Sequence, residues 1–373
     1  MSSNKGKVLV TGGAGLVGSH LVDLLLQKGY AVTILDNLEP QTHLKGQPDW
    51  IPPEAHFIHG DVTNEKNVER ALEGVRLVFH QAAFGGFTTA VSKYIDVNVV
   101  GTAKLFERLA LGKHTVEKVV VASSQANYGE GAYRHPEHGI VYPAPRSMHQ
   151  LKQKKWEHQS KDGCLDLEPA PTPENAPLTN TTPYALSKEY EERLSLALGL
   201  QNKIPVVALR YAVTYGPRQS IFNPYTGVVS VFSTRILNNL PPLIYEDGQQ
   251  TRDFIYAGDV ARANLFVMEN PHTDYQVFNV STGIATKVSD LARELSRLYG
   301  KSIEPQMTHQ YRLGDVRHLC PDPGKLAAMG FEAEKSLRDG LKLFSAWISQ
   351  YGDVREYFSE AYDNLKRNRL IYD

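Results

Sequence analysis

Two cysteines, Cys164 and Cys320, are all that 373 residues contain. Neither a disulfide framework nor a cysteine-rich zinc site can therefore organise the fold. Both thiols read as structural or incidental, and no metal site is expected. No apolar run is long enough to span a bilayer, and the opening MSSNKGKVLVTGG reaches a glycine-rich turn before any signal-type apolar core can form. A dominant charge is also missing: 40 Lys plus Arg face 41 Asp plus Glu, with no long run of either sign. That leaves no basic footprint for nucleic acid and no polybasic patch for a membrane surface. Internal repeats are absent as well. The expectation is a cytoplasmic, soluble chain of one large or two modest domains.

What is present is an alternation of strands and helices. Lys7-Val8-Leu9-Val10-Thr11 is a short β-favouring run that stops at Gly12-Gly13-Ala14-Gly15-Leu16-Val17-Gly18, and a helical pattern follows through Leu21, Val22 and Leu25. A second strand, Ala31 to Leu35, ends on Asp36, 18 residues after Gly18. Glycines at 12, 15 and 18 let a backbone turn, approach a pyrophosphate and pack a helix on a sheet, with the helix N-terminus facing phosphate. A carboxylate at Asp36 would accept from ribose hydroxyls and repel a 2′-phosphate, favouring NAD over NADP. Phe57 to Val62, Leu77 to Ala83 and Val119 to Ser124 continue the strands. A helix from about Lys93 to Ala110 carries Asn98, Gly101 and Thr102. The pattern predicts a doubly wound parallel sheet of Rossmann type, with ligands at the C-terminal strand ends.

Residues from about 133 to 182 break this rhythm with Pro, His, Lys and Glu in place of hydrophobic periodicity. They read as an inserted surface excursion with a short helix near Met148 to Trp156. A lid, an oligomer contact and plain decoration all stay open. Past Pro205 to Arg210, a further strand, the loops Tyr215-Gly216-Pro217-Arg218, Asn223-Pro224-Tyr225-Thr226-Gly227 and Glu246 to Phe254 mix polar donors, glycine and aromatics, which suggests binding. The expected division is a dinucleotide domain over 1–209, with the insertion and a returning segment of about 254–281. A smaller α/β substrate domain over 210–253 and 282–373 completes it.

Pro183-Tyr184-Ala185-Leu186-Ser187-Lys188 places a phenol and an ammonium four residues apart, on one face of one helix. A phenol titrates near pH ~10. A fixed cation lowers that value, so Lys188 could make Tyr184 a usable base. Alone, such a pair is usually an ordinary helix face.

The glycine turn, Asp36, Asp61-Val62, the Ser123-Ser124 strand end, Tyr184 with Lys188, Arg252-Asp253-Phe254 and Asp259-Val260 together resemble the extended short-chain dehydrogenase/reductase family. Within it the likeness is to the NAD-dependent nucleotide-sugar epimerases and dehydratases. The long insertion and the runs at 215–219 and 223–227 look like the dTDP-L-rhamnose 4-epimerase and UDP-glucose 4-epimerase branch. The resemblance implies that Gly12, Gly15, Leu16, Val17 and Gly18 hold the NAD pyrophosphate, Asp36 and Asn37 the adenosine ribose, and Asp61 and Val62 the adenine. Gln81, Ala82, Ala83, Asn98 and Tyr211 join the cofactor wall. Ser124 becomes the hydroxyl at the reacting sugar oxygen, Tyr184 the acid/base, and Lys188 the ribose ligand. Gly85, Gly86, Gln125, Asn223, Arg252 and Arg317 become contacts to a nucleotide-diphosphate sugar, the two guanidinium forks suiting its diphosphate. For each arginine the alternative is a structural salt bridge. A homodimer through helices near 97–111 and 184–200 is typical of the family.

Family 4,6-dehydratases carry Asp-Glu after the strand-end hydroxyl, decarboxylases a Glu at the second position, and 3,5-epimerases and 4-keto-6-deoxy reductases a Cys. Here stand Gln125 and Ala126, which cannot move protons that way. Oxidation and re-reduction at one carbon remains, as in a 4-epimerase. A net dehydrogenase or ketoreductase, a dehydratase and a non-catalytic NAD-binding regulator are the alternatives. Two departures stand out. Arg210-Tyr211-Ala212-Val213 lacks the usual Asn, for which Asn223 is the candidate substitute, and Phe84-Gly85-Gly86-Phe87 lacks the usual Lys or Val.

Overall fold

The computed structural model describes residues 5–86, 88, 90–112, 114–161, 163, 165–224, 227–352 and 354–373. Phe87, Cys164, Tyr225 and Thr226, named above, lie outside them. Seven parallel strands form the central sheet: β1 (Lys7–Thr11), β2 (Ala31–Asp36), β3 (His56–His59), β4 (Leu77–His80), β5 (Lys118–Ser124), β6 (Val206–Tyr211) and β7 (Val277–Val280). Their spatial order is β7-β6-β5-β4-β1-β2-β3, so the winding reverses between β1 and β4. Such a reversal opens a crevice at the C-terminal strand ends.

Alternation along each strand feeds two cores. Val8 and Val10 of β1 point to one face, where Leu21, Val22 and Leu25 of α1 (Leu16–Gln27) and Val260 and Leu265 of α5 (Ala257–Glu269) cover them. Leu9, between them, faces the other side with Val68 and Leu72 at α2 (Glu65–Ala71) and Leu105, Phe106 and Leu109 of α3 (91–110). Both faces are apolar because both are covered, as a parallel sheet requires. Each fully buried Val or Leu adds roughly 1.5–3 kcal/mol over an exposed one.

Helix α3 has a turn at Val91–Tyr94, a wide π-helical stretch at Ile95–Val100 and an α-helical run at Gly101–Ala110. Helix α4 (Pro183–Asn202) begins sharply: the Thr182 side chain accepts from the Ala185 amide at 3.3 Å, and Pro183 fills the first turn, where no amide is needed. It ends on Lys203 in the left-handed conformation.

A third core gathers Tyr215, Phe232, Ile236, Leu291, Leu295, Leu341 and Phe344. Strand Thr251–Tyr256 is its spine, pairing with Val213–Tyr215, Ala285–Lys287 and His318–Leu319. The 133–182 region differs from the expected irregular excursion. It holds a three-stranded antiparallel patch (Ala132–His135, Gly139–Val141, Glu168–Ala170) and a helix at Met148–Lys152.

Two small apolar clusters seat that region, Leu151 and Trp156 against Tyr311 and Ala176 with Tyr128 against Leu319, and buried charge joins them. Arg317 is fully buried; its guanidinium donates to Glu157 (Nε, 3.0 Å), Glu246 (2.9 Å) and Asp247 (2.7 and 3.0 Å), and its backbone amide donates to Glu130 (2.9 Å). Arg146 pairs with Glu246 at 2.9 Å, and His158 with Glu130 at 3.0 Å. His318 bridges Glu157 (2.9 Å) and Thr251 (2.9 Å). Burial alone would raise Glu157, but His318 and Arg317 hold its carboxyl down at about 2.

Candidate active site

The crevice at the β1/β4 reversal contains a cavity of about 310 Å³. Its floor is the glycine turn. Gly12 has φ +67°, and a Cβ there would sit 2.8 Å from the Ala82 backbone. At Gly18 a Cβ would meet the Gly12 carbonyl oxygen at 2.1 Å, so α1 packs onto the turn only because residue 18 has no side chain. Gly15 caps α1 without any side-chain hydrogen bond, which leaves the first-turn amides for a ligand. Gly12, Gly15, Leu16, Val17 and Gly18 all line the cavity.

Asp36 closes one end. Its two oxygens accept from the Ala14 and Leu38 amides at 2.9 Å each, fixing the carboxylate without using all its lone pairs. Asn37 and Val62 also line this end, as does a loop that sequence reasoning missed, Glu39 to His43, where Gln41 donates to Asn223 at 3.1 Å. Asp61 stands behind the wall. Burial would raise it, yet the Thr63 amide and hydroxyl and the Asn37 amide more than reverse that, so it sits below the usual carboxylate range.

At the other end Tyr184 and Lys188 line the cavity with Gln81, Ala82, Ala83, Gly85 and Tyr211. Gly85 lies against the Tyr184 ring, where a Cβ would be 3.4 Å from Cε2. Tyr94 of α3 meets that ring edge-on, with centroids 6.1 Å apart, and its hydroxyl donates to the Gly86 carbonyl. Tyr211 donates to Gln81 at 2.9 Å and is held by Asn264; burial pushes its phenol well above the ordinary value. Lys188 is 1% exposed, and its ammonium is 2.5 Å from Glu191.

Several expected residues sit elsewhere. Ser124 ends β5 half-buried, its Oγ accepting from the Ala126 amide at 3.1 Å, while its neighbour Ser123 reaches the cavity wall and donates to Glu192 at 2.6 Å. Gln125 is buried outside the lining. Asn98, expected among the cofactor contacts, is buried in the π-helical stretch and is a bracket. Its Oδ1 accepts from the Phe84 amide (2.8 Å), and its Nδ2 donates to the Phe84 carbonyl (3.0 Å) and Ser187 (2.9 Å). Asn223 does line the cavity. Arg252 donates to the Thr251, Val316 and Arg317 carbonyls, and Arg317 is enclosed by carboxylates as described; neither lines the cavity, and the salt-bridge alternative describes Arg317 as it stands. Asp253 caps the turn after β7 through Thr282 and Gly283.

A larger cavity, about 450 Å³, lies between Phe254, Leu326 and Leu337. It holds neither the glycine turn nor the Tyr–Lys pair, so volume does not locate the chemistry.

The model of the NAD-dependent epimerase/dehydratase family matches residues 8–155 and 166–281. The chain belongs to that family. It is 33% identical over 351 residues to a dTDP-L-rhamnose 4-epimerase of Burkholderia thailandensis, covering 92% of this chain and 95% of that one. It is 32% identical to a putative UDP-glucose 4-epimerase of Methanocaldococcus jannaschii, covering 91% and 98%. The UDP-glucose 4-epimerase of Thermotoga maritima, solved with UDP-glucose, superposes with a TM-score of 0.76 at 30% identity over 93% of this chain and all of that one. The cofactor is NAD, and the side-chain-free turn, the open helix N-terminus and the Asp36 carboxylate fit it.

Proposed function

We propose that the chain is an NAD-dependent nucleotide-sugar 4-epimerase. The observation that carries this reading is that Tyr184 and Lys188 share one cavity with the glycine turn and Asp36, while among the described residues lining that end no second free acid or base accompanies them. The cavity's other titratable groups, Asp36, Glu39 and His43, lie at the Asp36 end, and Tyr211 is locked by Gln81 and Asn264. Elimination of water needs a separate acid and base, whereas oxidation and return at one carbon needs one proton acceptor that later gives the proton back.

The glycine turn and Asp36 would hold NAD, which would supply reversible hydride transfer at the sugar C4. Tyr184, with Lys188 beneath it, takes the proton of the C4 hydroxyl and restores it after the 4-keto sugar has turned its other face. Ser124, at the end of β5, serves as hydrogen-bond partner of that oxygen. The chain's contribution is orientation and proton affinity. The substrate is a nucleotide-diphosphate hexose, with dTDP- and UDP-sugars favoured by the relatives. Val91, Ile95, Leu186 and Tyr190, all exposed on α3 and α4, support pairing with a second copy through those helices, which light scattering tests. Cytoplasmic residence belongs to the same reading, and the sparse thiols support it.

Incubation with UDP-, dTDP- and GDP-hexoses, followed by proton NMR at C4, tests the activity. Inversion with catalytic NAD and no accumulating NADH supports it. Stoichiometric NADH would assign a dehydrogenase, and a 4-keto-6-deoxy product a dehydratase.

A further inference from the structure

Helix α4 carries a second acid that the reaction above does not use. Glu191 lies three residues beyond Lys188, is fully buried, and holds the Lys188 ammonium at 2.5 Å through Oε2. Its Oε1 has no hydrogen-bond partner among the described residues. A buried carboxylate with one oxygen unsatisfied is costly, and helix stability does not require it.

The surroundings leave Lys188 as the group that answers it. On the same helix Glu192 is a like charge, already tied to Arg210 of β6 at 2.6 Å and to Ser123 of β5. From β6 comes the Tyr211 phenol, bound to Gln81 and Asn264. Beyond Lys188, on β4, His80 sits between the Thr11 (2.8 Å) and Thr102 (2.9 Å) hydroxyls, and burial followed by the Lys188 charge pulls it down to about 3, so it stays neutral. From α3, Tyr94 packs on the Tyr184 ring.

We propose that Glu191 is a positioning residue for Lys188, holding its ammonium and offsetting its charge, and so setting how readily the Tyr184–Lys188 pair releases its first proton. The inference rests on the reading of Tyr184 as the acid/base. A negative charge opposes every proton loss within its reach, whichever of two coupled groups the proton leaves. Burial raises Glu191 itself to about 7, against the opposing pull of Lys188, which puts its own charge change within the working range of pH.

The test is Glu191→Gln, which keeps the shape and an acceptor for Lys188 but removes the charge. Phenolate absorbance of the chain without cofactor, taken as the difference from Tyr184→Phe in the same background, should show the first ionisation at a pH lower by about one unit, a tenfold change in proton affinity. The acid limb of kcat should move the same way, and Glu191→Asp, which keeps the charge, should restore most of the parental profile. An unmoved ionisation, or a loss of activity with an unmoved profile, overturns the proposal and leaves Glu191 structural. If Glu191→Gln does not fold, carbon-13 carboxyl NMR of the wild-type chain decides: the Glu191 signal must inflect where Tyr184 ionises, and a signal without that inflection overturns the proposal. Failure of the underlying reading looks different, because Tyr184→Phe would then retain turnover.

Discussion

The nucleotide cavity and the buried charge cluster beneath the insertion use opposite means. In the cavity, side chains are removed or held back: glycines at 12 and 18, an uncapped helix start, and a carboxylate fixed by two amides with lone pairs to spare. In the cluster, Arg317, Arg146, Glu130, Glu157, Glu246 and Asp247 are paired with one another. A site that binds keeps its polar groups underused. A site that fastens two parts of a chain together consumes them. Polar character alone therefore does not mark a binding surface.

The contrast can be broken at several points. Tyr184→Phe should lower turnover at least about a hundredfold, the usual scale for a positioned acid/base, with thermal unfolding unchanged. Arg317→Met should do the reverse, costing about 3–5 kcal/mol because it strands buried carboxylates. Calorimetry and steady-state kinetics on the same preparations separate the two. If Arg317→Met spared stability and raised KM instead, the guanidinium would be gripping substrate and the contrast would fail. Gly12→Ala places a side chain at φ +67° against the Ala82 backbone. It should weaken NAD binding more than tenfold by isothermal titration and cost roughly 1–3 kcal/mol of fold stability.

Two smaller effects sharpen the picture. Thr182→Ala, which removes the cap of α4, should lower stability by about 1 kcal/mol in urea titration. Glu157 is held at about 2, below the ordinary glutamate value of 4.5, so its contribution is complete above 4.5 and fades as pH falls towards 2. Glu157→Gln should therefore be less stable than the parent at neutral pH, with the gap closing over that acid range. Because the side chain is 35% exposed, the gap should stay below about 1 kcal/mol.

How much of this could be read beforehand follows from the same contrast. The glycine turn, Asp36, the strands and the Tyr184 helix were legible because their causes are local: a missing Cβ, a two-residue alternation, a phenol and an ammonium at helical spacing. The order within 132–170 was not, since its partners are far apart in sequence, Glu157 with Arg317 and Arg146 with Glu246. Charged residues without period read as solvated surface when their partners are out of view. Asn98 misled for a related reason. An amide on a helix near a ligand site looks like a contact, and only the π-helical widening shows it turned inward to Phe84 and Ser187. The Glu39 to His43 wall carried no signal beyond polarity.

The way the insertion is fastened has a consequence for anyone recombining relatives of this enzyme. An excursion seated by apolar contact can be exchanged for another of similar shape, since one greasy surface tolerates many. This one adds to its small apolar clusters a matched set of charges contributed from four separate stretches, around 130, 146–158, 246–247 and 317–318. A chimera that imports the insertion without its complementary acids and arginines would bury unpaired charge, so the four stretches must be inherited together.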